Sequence, residues 1–182
     1  MKYKLHFVQY TYRALDEFIL RRFIMNEIKV FPIGKIENEN GEFKVTVDSI
    51  YKNGLKGLAD YSHVQILWWF DGCDNTKDRG MLIEKKPYKK GPKEIGVFAL
   101  RSPERPNPIA VSNVSIAYVD EKVGIIGLYY IDAFPGSMVL DLKPYTPSID
   151  RIENPITPKW CSHWPKSYEE SSEFNWEDEF NF

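Results

Sequence analysis

Cysteine is nearly absent: the 182 residues contain two, Cys73 and Cys161. Two thiols cannot build a disulfide framework, which excludes a small stapled extracellular fold, and both are expected to stay reduced in a cytoplasm. Long apolar runs are lacking too, and none approaches the roughly 20 residues of a membrane-spanning helix. The first residues include Lys2, Lys4, Arg13, Asp16 and Glu17, which leaves no apolar centre for a secretory signal. A soluble cytoplasmic protein with no membrane contact is therefore expected. Histidine is scarce, with three in the chain, and Cys161-Ser162-His163 is the single Cys-x-His. Tetrahedral zinc takes four ligands, commonly from paired motifs, so no metal is expected. A glycine-rich strand-to-helix loop is also missing, and with it the usual signature of a Rossmann cofactor site.

An excess of one charge is lacking as well: 24 basic residues stand against 26 acidic ones, a formal net charge of −2. Non-specific affinity for nucleic acid comes from phosphate neutralisation by Lys and Arg, so a general polyanion binder is excluded. The average hides an uneven distribution. Residues 85–93 carry five lysines in nine positions, Arg101 and Arg105 follow, and the end of the chain collects Glu169, Glu170, Glu173, Glu177, Asp178 and Glu179. Lys89 and Lys90, with Arg105 and Asn107, are candidates to hold an RNA backbone; a solvated lysine loop accounts for the lysines equally well.

What is present has a clear order. Residues 11–24 place Leu15, Phe18, Ile19 and Phe23 on one helical stripe with Thr11 as N-cap, predicting a short amphipathic helix in an extension over residues 1–27. Residues 28–150 then read as strands. Phe43, Val45 and Val47 alternate with polar neighbours, and residues 64–70 form a mostly apolar run, the patterns of a half-buried and a more buried strand. Residues 95–100, 109–119, 123–131 and 138–142 follow, the middle two joined hairpin-fashion at Asp120-Glu121. No segment between them suits a crossover helix. The fold class expected is mostly β: a small antiparallel β-barrel with a short N-terminal helix and an irregular C-terminal tail. That tail, residues 151–182, is aromatic and acidic, whereas disordered tails are poor in aromatics, so it is expected to pack on the domain or on a partner chain.

The segment with the most chemistry is Arg101-Ser-Pro-Glu-Arg-Pro-Asn-Pro-Ile-Ala110. Pro103, Pro106 and Pro108 each fix a φ and restrict the preceding residue, so this loop loses little entropy on holding a ligand. Arg101 and Arg105 offer planar forks suited to carboxylate or phosphate, and Asn107 adds a donor and an acceptor. A rigid connection with surface arginines explains the same composition.

The stretch Gly96-Val-Phe-Ala-Leu-Arg-Ser-Pro-Glu-Arg-Pro-Asn-Pro-Ile-Ala110 resembles the hallmark of the TrmO (YaeB, TsaA-like) family. Two further blocks match it in order and spacing: Gly57-Leu-Ala-Asp-Tyr-Ser-His-Val-Gln-Ile-Leu67 and Val139-Leu-Asp-Leu-Lys-Pro-Tyr145. The resemblance covers about residues 28–150. It implies a small β-barrel, a homodimer, S-adenosylmethionine as cofactor, and tRNA as substrate, methylated at N6 of threonylcarbamoyladenosine beside the anticodon. By motif position it implies cofactor contacts at Asp71, Gly72, Arg101 and Val111, with the turn Pro135-Gly136-Ser137-Met138 closing over the cofactor. Three places depart from the family pattern. Pro-Gly-Ser-Met stands where Asp-Gly-Thr-Pro is usual, Ala110 stands where glycine is common, and the usual Pro-Arg-Gln loop has no counterpart between Lys35 and Phe43.

Methyl transfer from a sulfonium needs alignment above all, and a nearby base assists loss of the N6 proton. Asp71, Asp132 and Asp141 are candidate bases, with His63 and Tyr145 behind them. Asp141, two residues before Lys143, also reads as a structural ion pair, and His63 as a hydrogen-bonded core histidine. Trp68 and Trp69 read as core, with base stacking as the alternative. Two other functions use the same residues: methylation of a different substrate, and a non-catalytic module that binds S-adenosylmethionine or RNA.

Overall fold

The computed structural model describes residues 28–181. The helix expected over residues 11–24 lies outside them.

Six strands close into an antiparallel barrel in the order β1-β2-β7-β6-β3-β8. Their ranges are β1 Gly34–Glu39, β2 Glu42–Val47, β3 His63–Trp69, β6 Ile109–Asp120, β7 Ile125–Leu128 and β8 Met138–Pro144. A separate two-stranded hairpin consists of β4 Ile83–Lys85 and β5 Glu94–Gly96. Among the described residues the α-helices are single turns: α1 Thr76–Arg79, α2 Pro147–Asp150 and α3 Tyr168–Ser171.

The barrel follows from side-chain alternation, because successive side chains of a strand point to opposite faces. In β3, Val64, Ile66 and Trp68 face inward between half-buried neighbours. Ile36, Val45, Val114, Ile126 and Val139 meet them from the other strands, and each fully buried Val or Ile contributes roughly 1.5–3 kcal/mol relative to exposure. Closure between β1 and β2 depends on a missing side chain. A Cβ on Gly34 would lie 2.2 Å from the Thr46 main-chain oxygen, a clash that backbone cannot relieve. Across β6 and β7, the Tyr118 ring lies over Gly127, where a Cβ would come 2.1 Å from Cε1, and its hydroxyl donates to Glu42 at 2.8 Å.

Residues 109–119 form a strand much as expected, extended by Asp120. Residues 95–100 do not: β5 ends at Gly96, and Val97–Ala99 make a 3-10 turn that buries Val97 and leaves Phe98 at the surface. Period-2 alternation here reflects one buried residue beside an exposed one, not a continuing ladder. β7 is likewise shorter than the run 123–131; its hairpin turn uses Asp120 Oδ1 as acceptor for the amides of Lys122 and Val123 and Gly124 at φ 92°. β1 has one large inward apolar residue, Ile36, and therefore little periodicity to announce it.

The tail folds into an aromatic lobe on the lysine loop. Tyr88 stacks on Trp160 at 5.0 Å between centroids and also meets Trp164 and Phe180; Trp176 packs against Trp164, Phe174 and Phe180. Main-chain hydrogen bonds from Lys89 to Glu179 and from Asn181 to Pro87 run along the contact.

Candidate active-site groove

A groove of about 1100 Å³ opens on one side of the barrel. Its floor is the end of β3 and the start of β6: Trp68, Phe70, Ile109, Ala110, Val111 and Ser112. β3 shifts register against β8 between Leu67 and Trp68, and such bulges re-aim side chains beside functional sites. Trp68 is 4% exposed and its Nε1 donates to Ser112 Oγ at 3.0 Å, so it is core and groove floor at once. One wall is the loop 98–105 and another is the segment 130–134 between β7 and β8.

The groove brings together residues far apart in sequence: Asp71, Arg101, Arg105, Val111 and Asp132 all line it. Asp71 and Gly72 form the turn leaving β3, with Gly72 at φ 81°, and the Phe70 amide donates to Pro108 at 2.8 Å to hold that turn against the proline loop. Arg101 donates through Nη2 to the Val111 main-chain oxygen at 2.9 Å and keeps the rest of its exposed guanidinium along the groove. Arg105 is differently employed. Its Nε donates to Ser102 O and its Nη2 to both Val97 O and Leu100 O, at 2.7–3.1 Å. The side chain fastens the loop to itself, and its fork is largely consumed. Asn107 is exposed, and its main-chain oxygen accepts from Ile109 N.

Ser137 is buried to 1% exposure; its amide donates to Phe134 O and its main-chain oxygen accepts from Ile36 N. The turn around it leaves Pro135, Gly136 and Met138 at the surface beside the groove-lining Phe134. Cys73 lines the groove, but burial, then Glu104, Asp78 and Asp71, push its thiol up, which keeps it protonated and poorly nucleophilic.

The other candidate bases lie elsewhere. Asp141 is paired with Lys143 and accepts from Leu142 N; it lines a separate hollow of about 370 Å³ with Leu55 and Leu58. The His63 ring is bracketed by Ser62 Oγ at 2.8 Å and Ser115 Oγ at 2.9 Å, with the Tyr145 ring 6.2 Å away. None of these three lines the groove.

Lys89 and Lys90 are engaged by the tail. Lys89 Nζ donates to Glu177 O at 2.9 Å, and Lys90 Nζ pairs with Glu179 at 3.0 Å. The Glu179 carboxylate, 3% exposed, also meets His163 Nε2 at 2.7 Å and accepts from Trp164 Nε1 at 3.0 Å. Those partners, His163 first, hold its carboxyl down to about 2. Among the described residues no cluster of three His, Cys, Asp or Glu suits a metal ion, and no helix is long and apolar enough to cross a membrane.

Sequence reasoning missed Phe98, Tyr130 and Phe134. All three line the groove and are 82%, 56% and 70% exposed. Phe98 and Tyr130 fall within the runs 95–100 and 123–131 read as strands, and the available signal for Phe134 was its place before Pro135.

The profile of the tRNA-methyltransferase O N-terminal domain family matches residues 24–151. A "Probable S-adenosyl-L-methionine-binding protein" of Pyrococcus abyssi is 37% identical over 128 residues, 70% of this chain and 65% of the relative. The "tRNA (adenine(37)-N6)-methyltransferase" of Escherichia coli is 33% identical over 122 residues, 65% of this chain and 51% of the relative. A crystal structure of TrmO superposes with TM-score 0.57 at 26% identity, covering 72% of this chain and 63% of that one. The chain thus spans about two thirds of the first of these relatives and about half of the second.

Proposed function

The chain belongs to the tRNA-methyltransferase O N-terminal domain family, and from that premise we propose that its groove binds S-adenosylmethionine and transfers the methyl group to tRNA, at N6 of threonylcarbamoyladenosine beside the anticodon. The observation that carries the reading is the convergence of Asp71, Arg101, Val111 and Asp132 on one groove. These residues fit the cofactor by chemistry: an arginine fork for a carboxylate, carboxylates for an ammonium or sugar hydroxyls, and an apolar floor for a purine.

When bound, S-adenosylmethionine supplies an electrophilic methyl that needs no further activation. The chain's own residues then have three tasks. The proline-stiffened loop, fastened internally by Arg105, keeps Arg101 at a fixed place on the wall, so alignment costs little entropy. The apolar floor of Trp68, Phe70, Ile109 and Ala110 excludes water from the reacting region. The leaving N6 proton passes to a carboxylate of the groove, Asp132 or Asp71, and not to Asp141, which is paired outside it.

The same proposal includes a cytoplasmic homodimer. Ile149 in α2 and Ile152 and Ile156 at the start of the tail are 81%, 74% and 99% exposed, apolar side chains that a second copy would cover.

Mass spectrometry of nucleosides from tRNA incubated with the purified protein and cofactor tests the reaction. Conversion of threonylcarbamoyladenosine to its N6-methyl form is expected; unchanged nucleosides would contradict the assignment.

A further inference from the structure

Three aromatic side chains at the groove are unusually exposed, and they differ from its floor. Trp68 is 4% exposed and hydrogen-bonded, a packed core residue. Phe98, Tyr130 and Phe134 are 82%, 56% and 70% exposed, although all line the same groove. Phe98 is the tip of a 3-10 turn whose buried anchor is Val97, so the backbone holds that ring out on the loop wall. Tyr130 is held edge-on by Phe43 at 5.3 Å and 73°. Phe134 precedes the Pro135-Gly136 turn, where Ser137 N donates to Phe134 O. The rings are thus placed by their backbones while their faces stay open.

The polar groups beside them narrow the ligand. Arg105 spends its fork on three carbonyls, which leaves the remaining N–H groups of Arg101, beyond its bond to Val111 O, as the groove's cationic donors, and these are assigned above to the cofactor carboxylate. The groove retains the carboxylates of Asp71 and Asp132 as acceptors. Open aromatic faces with acceptor oxygens suit a flat heterocycle bearing N–H donors better than a phosphate. At about 1100 Å³ the groove also exceeds what one small ligand commonly occupies, roughly 300–1000 Å³.

We propose that Phe98, Tyr130 and Phe134 are the stacking platform that receives the acceptor purine of the RNA once it is turned out of its loop. This rests on the methyltransferase reading above, and its test is separable from that reading. The stacking energy comes from the π-face and tolerates changes of base, while Asp132, on the same groove as Tyr130, accepts from the exocyclic amine and so discriminates between bases.

The experiment uses the full chain and a synthetic anticodon-type RNA hairpin with one 2-aminopurine in its loop, whose fluorescence falls on stacking. Leucine replacements, Phe98→Leu, Tyr130→Leu and Phe134→Leu, keep apolar bulk and remove the ring; because the sites are exposed, melting temperatures should stay unchanged. The expected result is quenching on binding to the wild type, and weaker quenching with RNA affinity lowered on the order of tenfold in each variant, while affinity for S-adenosylmethionine is kept. Binding of the hairpin without quenching would overturn the proposal. So would full quenching by the triple variant, or a shift of the variants from dimer to monomer with quenching intact, which would make the rim a subunit contact. Failure of the wild type to bind S-adenosylmethionine would instead overturn the methyltransferase reading, since the quenching assay omits the cofactor.

Discussion

Arg101 donates through Nη2 to the main-chain oxygen of Val111, 2.9 Å away, so two residues on opposite ends of the proline loop are tied across the groove. Both ends are exposed, and water can replace either partner. Arg101→Ala is therefore expected to change stability by no more than about 1 kcal/mol. Chemical denaturation checks this; a much larger loss would make Arg101 a structural residue and remove the case for a ligand role.

Arg105 should behave in the opposite way. It satisfies three carbonyls within the loop, and its half-buried side chain leaves little room for water to take over. Arg105→Ala is expected to cost about 2 kcal/mol or more, and Arg105→Lys to recover little, since an ammonium lacks the planar fork. Thermal and chemical denaturation would show it; wild-type stability in the alanine variant would return Arg105 to the pool of free cations.

The tail lobe should respond to acid through Glu179. Its partners, His163 foremost, hold the carboxyl down to about 2 from the ordinary 4.5. A depressed acid stabilises the folded state fully above its unfolded value and loses that contribution as pH falls towards its folded value. Docking of the lobe should therefore weaken between about pH 4.5 and 2. Near-ultraviolet circular dichroism of Trp160, Trp164 and Trp176 follows it. Glu179→Gln should loosen the lobe at neutral pH and flatten that acid transition; an unaltered transition would show that another group controls it.

Gly34→Ala tests barrel closure. The added Cβ would meet the Thr46 oxygen at 2.2 Å, and separating β1 from β2 is expected to cost about 1–3 kcal/mol. A melting temperature equal to wild type would show that the strands part freely there.

How much of this was legible in the sequence varied with the physics involved. β2 and β3 were plain, because Val45 and Val47, and then Val64, Ile66 and Trp68, bury every second residue. β1 was not, since Gly34 does its work by lacking a side chain. At the site, the Arg101 loop was legible as a stiff element, and the structure sets Asp71 and Asp132 beside it. The fates of the cations were not legible: Arg105 is bound by carbonyls three to eight residues away, and Lys89 and Lys90 by groups almost ninety residues on. Residue type announces a charge, and its partner is set by tertiary contacts. The same holds for Phe98, whose exposure depends on Val97 taking the buried position beside it.

The central claim is that the groove is a cofactor site. Isothermal titration of S-adenosylmethionine into the wild type and Arg101→Ala proteins tests it most directly. Saturable binding to the wild type, weakened on the order of tenfold in the variant, is the predicted result; no binding to the wild type, or equal affinity in both, would contradict it.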